Sequence, residues 1–281
     1  MTPAHTSYLI CSTPRTGSSL LCDALTGTGV AGRPEEYFQF RARTGFPRRP
    51  QEYFEGAGDP EIFDILGPRT AVEDVEARYD PSRFERYEQY LEWAVQAGTT
   101  PNGVFGAKVM WGYFNGFVTG LRWALPGRQR LAVPDLVQSV FPNLTYLTVS
   151  RRDKVRQAVS LWRALQSWSW SSEQNADRAV GDQLTYSHAA IAHLIRDIED
   201  HELGWRAFFR ECGVEPYEVV YEDFAASYEY TLRDILRHVG IAEADTVPIA
   251  TPTRRQQADD LSQRWTERYK AESGRLAHAW P

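Results

Sequence analysis

From residue 8 to residue 25 the chain reads Tyr8-Leu-Ile-Cys11, Ser12-Thr-Pro-Arg-Thr-Gly-Ser-Ser19 and Leu20-Leu-Cys-Asp-Ala-Leu25. The first part is a short apolar run, which predicts a buried strand. The second part is rich in small hydroxyl residues and predicts a turn. The third predicts a helix that ends near Gly27 and Gly29, because glycine commonly terminates helices. We therefore expect a strand, a loop and a helix in succession.

The rest of the chain continues this alternation of strands and helices. Apolar runs predict three further strands, at Gly103–Met110, Leu144–Ser150 and Tyr217–Tyr221. Helical spacing of apolar residues is found in Phe84–Ala97, in the stretch after Lys154, in Leu184–Phe209 and in Tyr230–Val239. This alternation predicts an α/β fold with a mainly parallel central sheet flanked by helices. Ligands bind such sheets at the C-terminal ends of the strands, where the loops after Cys11 and Ser150 begin.

Composition argues against several classes of protein. The 281 residues carry a net charge of −6, whereas a general nucleic-acid binder needs a cationic surface. Three cysteines without C-x-x-C spacing predict reduced thiols rather than disulfides or a zinc site, and the six histidines lack metal-ligand spacing, so we expect no metal. Neither a signal peptide nor an apolar run of membrane-spanning length is recognisable, so we expect a cytoplasmic protein without a membrane span.

The loop after the first strand is a candidate anion site. The first backbone N–H groups of a helix are unpaired, and the helix dipole there favours an anion. Gly17 gives the loop flexibility, and Arg15 adds a guanidinium that binds oxyanions through charge-assisted bonds. Hydroxyl groups come from Ser12, Thr13, Thr16, Ser18 and Ser19. The loop lacks the lysine of a Walker A motif, and the alternative is an ordinary helix start with a surface arginine.

A second candidate anion site follows the strand that ends at Ser150. Arg151 and Arg152 leave this strand, and Ser160 lies about two turns along the next helix. An arginine that folds back over the first turns meets the serine hydroxyl, and the pair would bind a second phosphate. Taken alone, this pattern favours the alternative, a helix capped by arginine with an exposed serine.

Together the two elements resemble the two sites that sulfotransferases use to bind 3′-phosphoadenosine 5′-phosphosulfate (PAPS). The match is closer to one branch, the bacterial trehalose 2-sulfotransferase family, and extends in order from residue 8 to about residue 270. The blocks that resemble this family are residues 8–21, 29–39, 101–111, 157–164 and 257–269.

The resemblance implies a single sulfotransferase domain over residues 1–281 with a P-loop-like sulfotransferase fold. Within it, an irregular segment around residues 33–81 would serve the acceptor, and a charged tail covers residues 254–281. By position, the family's donor site falls on Arg15, Thr16, Gly17, Ser18 and Ser19 for the phosphosulfate, and on Ser160 with Arg151 or Arg152 for the 3′-phosphate. Glu36 falls where the family has its proposed general base, and the family analogy suggests a homodimer.

Five further positions are candidates, and three of them have an alternative interpretation. Glu36 is either the base or a helix N-terminal charge, and its neighbour Glu35 is the substitute base. Lys108 is either a second cation at the sulfuryl group or a strand-end lysine in a surface ion pair. Trp111 is a candidate for stacking on a ligand. Arg33 replaces an acidic residue of the trehalose enzyme in the acceptor region, which leaves the acceptor open. Arg255, with Arg254, either closes over the nucleotide or is solvated.

The sequence therefore predicts an enzyme that transfers a sulfuryl group from PAPS to a hydroxyl of a small acceptor, such as a sugar, a glycolipid or another glycosylated metabolite. Two alternatives remain open at this stage. A nucleotide-dependent kinase would use the first loop as a phosphate cradle and would require Mg²⁺ with ATP. A non-catalytic nucleotide- or carbohydrate-binding protein would keep the fold without the chemistry.

Overall fold

The computed structural model describes residues 4–68, 79–167, 184–251 and 260–278. The chain forms two compact units, each assembled from three segments. The first unit contains Met1–Pro47, Val72–Arg152 and His201–Pro252, and the second contains Arg48–Ala71, Asp153–Asp200 and Thr253–Pro281. A single sulfotransferase domain over residues 1–281 stays a prediction.

The first unit contains a four-stranded, entirely parallel sheet. The strands are β1 (Thr6–Ser12), β2 (Val104–Met110), β3 (Leu144–Ser150) and β4 (Tyr217–Val220). Their order across the sheet is β2-β1-β3-β4, and all three pairs are parallel. Ser12 lies opposite Met110 on one side and Val149 on the other, so the C-terminal ends of these strands meet at one edge. The predicted parallel α/β fold is confirmed.

Helices cover both faces of this sheet. They are α1 (Ser18–Gly27), α3 (Tyr87–Gly98), α4 (Trp111–Ala124), α5 (Val133–Gln138), α8 (Tyr221–Ala226), α9 (Tyr228–Val239) and the C-terminal part of α7 (His188–Cys212). Successive side chains of a strand point to opposite faces. Leu9 of β1 accordingly joins a cluster with helices α3, α4, α5 and α7, whereas Ile10 joins a cluster with α1 and α9.

Helix α4 is absent from the sequence-based prediction because its glycines weaken the helical pattern. Glycine in a helix interior is unfavourable by about 1 kcal/mol relative to alanine, so its presence argues against a helix. The structure shows why two of these glycines are needed. A Cβ on Gly116 would lie 2.0 Å from the Phe40 carbonyl oxygen, and one on Gly120 would lie 2.3 Å from Cζ of Tyr87.

The prediction of a strand through Tyr221 is wrong by one residue, because β4 ends at Val220 and Tyr221 opens helix α8. This change of backbone direction turns the tyrosine ring onto Gly17. A Cβ on Gly17 would lie 2.2 Å from Cδ2 of Tyr221, so the ring takes the space that a larger residue would need.

The second unit is helical in its described part. It contains α2 (Pro60–Leu66), α6 (Lys154–Ser167), the N-terminal part of α7 and α10 (Asp260–His278), together with a short 3₁₀ helix at Pro50–Phe54. Trp162 of α6 is fully buried, and its ring meets Phe54 edge-on at 5.6 Å. The described part of the segment 33–81 is irregular with short helices, as predicted.

Membrane-spanning helices are not found in the described ranges, since no helix there is both long and apolar enough. In the same ranges, no three His, Cys, Asp or Glu side chains converge to hold a metal ion. The three cysteines are free thiols.

Candidate active site

The loop between β1 and α1 has a backbone that exposes the start of the helix. Arg15 and Gly17 both have positive φ, 63° and 87°. Gly17 is the N-cap of α1 and supplies no side chain to cap the helix. Positive φ is a strained conformation for arginine and an easy one for glycine. The loop thereby leaves first-turn amides of α1 for an anion at the C-terminal edge of the sheet.

The hydroxyl groups of this loop differ in what they do. Thr16 is fully buried, and its hydroxyl donates to the Thr13 carbonyl at 3.2 Å, which stabilises the turn. Ser18 is buried at the start of α1. Ser19, one residue further on, is half-buried and accepts a hydrogen bond from the ammonium of Lys108 at 3.2 Å. Ser19 therefore joins the loop to strand β2.

Glu36 lies at the same edge because its segment pairs with β2. Glu35 forms a parallel bridge with Ala107, and the Lys108 amide donates to the Glu35 carbonyl at 2.9 Å. The Lys108 ammonium lies 2.6 Å from Oε1 of Glu36. Lys108 therefore connects the candidate base, Glu36, with Ser19 on the first turn of α1, directly after the candidate donor loop at residues 13–17.

The environment of Lys108 keeps its ammonium charged. The side chain is only 5% exposed, so its alternative as a surface ion pair is wrong. Burial by itself lowers the pKa of Lys108, but the Glu36 carboxylate, with Glu35 as a further carboxylate, offsets that effect and leaves the pKa of Lys108 above its usual value. The Glu36 carboxylate is more open, with 23% of its side chain exposed. A buried cation thus faces a carboxylate that solvent can reach.

Arg151 contacts the loop between β1 and α1, within the first unit. Its Nη1 donates to the Arg15 carbonyl at 3.4 Å, and its guanidinium lies 5.1 Å from the centre of the Tyr221 ring. The same ring packs against Gly17. Sequence reasoning missed Tyr221, although a tyrosine at the end of a predicted strand, at this edge of the sheet, was the available signal.

Arg152 has a different orientation from its neighbour. Its guanidinium forms a two-point ion pair with Asp223, and its backbone N–H donates to the Glu222 carboxylate. Both members of the ion pair are about 60% exposed. Arg151, and not Arg152, is the arginine that contacts the loop at Arg15.

Of the remaining predicted residues, three lie in the described ranges and two lie outside them. Ser160 is half-buried on α6, in the second unit. Arg33 is exposed, and its amide donates to the Gly98 carbonyl at 2.9 Å. Trp111 stacks on Phe114 at 5.1 Å and meets Trp205 edge-on, so it is part of an aromatic cluster. Arg254 and Arg255 lie outside the described residues.

Trp205 is a second residue that sequence reasoning missed. Its indole N–H donates to the Ser12 carbonyl at 3.0 Å, at the point where β1 ends and the loop begins. The long helical pattern of α7 gave no signal for this role, because a tryptophan on such a helix face is usually part of the core.

Comparison with known proteins places these features in a family. Residues 7–272 match the family model described as Stf0 sulphotransferase. Trehalose 2-sulfotransferases of Mycobacterium tuberculosis and of Mycolicibacterium smegmatis are each 34% identical to the chain, over 98% of both sequences. Among solved structures, a sulfotransferase from Alicyclobacillus acidocaldarius aligns with 98% of this chain and 96% of its own, at 18% identity and a TM-score of 0.46.

Proposed function

Because the chain belongs to the Stf0 sulfotransferase family, we propose that it transfers a sulfuryl group from PAPS to a hydroxyl of a carbohydrate-containing acceptor. One observation carries this proposal. The Glu36 carboxylate lies at the C-terminal edge of the sheet and is joined through Lys108 to Ser19 of the donor loop, at 2.6 Å and 3.2 Å. A base and an anion site are thereby held together, as transfer to an alcohol requires.

The donor loop supports binding of the 5′-phosphosulfate. The first-turn amides of α1 would donate to the anion, and Arg15 would supply positive charge. Charge builds up on the leaving phosphate during transfer, and donors that are already fixed in place stabilise it. For the 3′-phosphate we keep Arg151 and Ser160 as the proposed residues, with Arg151 favoured over Arg152 by its contact with Arg15.

Glu36 is the proposed general base. The acceptor oxygen forms a bond to sulfur while the bond from sulfur to the 5′-phosphate oxygen breaks, and the hydroxyl proton passes to Glu36. Lys108 contacts Oε1 of Glu36, so we assign Oε2 as the atom that takes the proton. Glu35 is the weaker candidate, because its backbone carbonyl is fixed to β2 while the neighbouring carboxylate of Glu36 is the one joined to the donor loop.

The acceptor class rests on the relatives, both of which are trehalose 2-sulfotransferases. Trehalose itself stays open, since an exposed arginine, Arg33, begins the segment that carries the base. We infer a neutral or anionic sugar as acceptor, either free or as part of a glycolipid.

The direct test is incubation of the protein with PAPS and a panel of trehalose, other glycosides and glycolipids, analysed by mass spectrometry. We expect one acceptor to gain the mass of one SO₃ unit, with equimolar release of adenosine 3′,5′-bisphosphate. Consumption of PAPS that yields only inorganic sulfate across a broad sugar panel would contradict the proposed acceptor class. Absence of any PAPS turnover would contradict the donor.

Two other expectations from the sequence stay predictions. One is a homodimer, and the other is a cytoplasmic location. Analytical ultracentrifugation tests the first, and localisation of the protein in its native host tests the second.

A further inference from the structure

We propose that Lys108 is a positioning residue, which holds the Glu36 carboxylate at a fixed place beside the donor loop and does not itself contact the sulfuryl group. This inference rests on the proposed function, in which Glu36 is the base. It assigns Lys108 a role different from the one that its sequence position suggested, a second cation on the transferred group.

The backbone of Lys108 gives the first argument. Its amide donates to the Glu35 carbonyl at 2.9 Å, next to the bridge between Glu35 and Ala107. Its side chain then reaches Oε1 of Glu36 at 2.6 Å. Backbone and side chain of one residue therefore hold two consecutive residues of the acceptor segment. The carboxylate is fixed in direction as well as in distance.

The far end of the lysine gives the second argument. Nζ also donates to Ser19 Oγ at 3.2 Å, on the first turn of α1. Ser19 and Glu36 together take up two of the three donors of the ammonium. The ammonium is thus held between the base and the loop, with 5% of the side chain exposed. Only one N–H of the ammonium is left for any other partner, and the side chain is nearly inaccessible.

Electrostatics gives the third argument. Cys22 is next to Lys108, but burial raises the pKa of this thiol to about 12, so it stays neutral. The charge of Lys108 is therefore balanced by Glu36, with Glu35 as a further carboxylate nearby. Removing one member of a buried pair leaves an uncompensated charge, which is strongly unfavourable.

A double-mutant cycle tests the assignment, because two residues that act through one another show non-additive effects. We expect Lys108→Met to lower kcat by about 10- to 100-fold, the loss expected when a reacting group is misplaced by about an ångström. The KM for PAPS should change less than about two-fold, since uniform donor binding is retained. In the Glu36→Gln background, Lys108→Met should cause no further loss. Lys108→Arg should recover part of kcat, because the cation is kept.

Thermal unfolding of the same four proteins separates this role from a purely structural one. Glu36→Gln leaves a buried ammonium without its carboxylate and should lower Tm, and adding Lys108→Met should restore part of that loss. If Lys108→Met alone does not fold, the comparison of Glu36→Gln with the double variant still shows whether Lys108 acts through Glu36. A PAPS KM raised ten-fold or more by Lys108→Met in that background would show direct contact with the donor and overturn the proposal.

Additive losses of kcat would also overturn the proposal, because they would mean that Lys108 acts independently of Glu36. These outcomes are distinct from failure of the proposed function. That failure would be visible as an unmodified protein that does not turn over PAPS, in which case the Tm cycle alone reports whether Lys108 and Glu36 are coupled.

Discussion

At the edge of the sheet, two residues form an ion pair of unequal exposure, the buried cation of Lys108 and the more exposed carboxylate of Glu36. Lys108 is nearly inaccessible, whereas about a quarter of the Glu36 side chain is exposed. A general base must reach both its substrate and a stabilising partner, and this asymmetry provides both. The pair explains why a lysine is tolerated within a buried strand, where an unpaired charge would be costly.

Glu36→Gln should lower kcat by about 100- to 10,000-fold, the usual contribution of a general base. Binding of adenosine 3′,5′-bisphosphate should be nearly unchanged, because Glu36 belongs to the acceptor side. Steady-state kinetics with calorimetry measures both quantities. The matched control is Glu35→Gln, one residue away, which should keep most of the turnover. A larger loss in the Glu35 variant would move the base by one position.

Arg151→Ala should weaken binding of adenosine 3′,5′-bisphosphate by about 10- to 100-fold, which corresponds to the loss of a hydrogen bond to a charged group. Arg152→Ala should change the Kd less than about three-fold, since its guanidinium is paired with Asp223 on the surface. Isothermal titration of both variants measures the difference. Equal losses in the two variants would contradict the choice of Arg151.

The loop before helix α1 shows how an element prepares an anion site. Gly17 has φ of 87°, and Tyr221 occupies the space beside it, so neither backbone nor neighbours accept a side chain there. Arg151 then lies over the Tyr221 ring and against the loop carbonyl. The loop that follows β1 is therefore contacted by residues that follow two other strands, Arg151 after β3 and Tyr221 after β4.

Gly17→Ala tests this element. It should destabilise the protein by about 1–3 kcal/mol from backbone strain alone, and displacement of Tyr221 should also weaken donor binding. Gly27→Ala, at the other end of the same helix, is the matched control because its Cβ meets nothing within 4 Å. That variant should differ from the unmodified protein by less than about 1 kcal/mol. Denaturant unfolding with nucleotide titration checks both, and equal effects at the two glycines would contradict the account of the loop.

Elements with one dominant local signal could be predicted from the sequence. Strand β3 matches its predicted bounds. Helix α9 ends at Val239 as predicted, and Gly240 is its C-cap with φ of 84°. Elements that depend on distant neighbours could not be predicted. The glycines of α4 are explained only by Phe40 and Tyr87, and the start of α8 only by the place of Tyr221 beside Gly17.

The same limit applies to the site. Residue type and position gave Arg15 and Lys108 as candidates, because strand ends and helix starts are recognisable in the sequence, whereas Glu36 was a candidate through the resemblance to the family. The contact of Lys108 with Ser19 joins residues 89 positions apart, and no local pattern contains it. The burial of Lys108 in its ion pair with Glu36 likewise depends on the folded sheet, so the sequence alone does not show it.

On the scale of the whole molecule, a net charge of −6 coexists with the proposed site for a highly anionic nucleotide. Arg15 and Arg151 provide local positive charge at one edge of the sheet, so the overall charge is a poor guide to the ligand. The family match over residues 7–272 sets aside the kinase alternative. The central claim that remains is the nature of the donor.

Calorimetric titration with nucleotides in the absence and presence of Mg²⁺ tests that claim most directly. We predict that adenosine 3′,5′-bisphosphate binds with the same Kd in both conditions and raises Tm as binding to the folded state requires, while ATP binds far more weakly. Binding of ATP that depends on Mg²⁺, with no detectable binding of the 3′,5′-bisphosphate, would contradict the account.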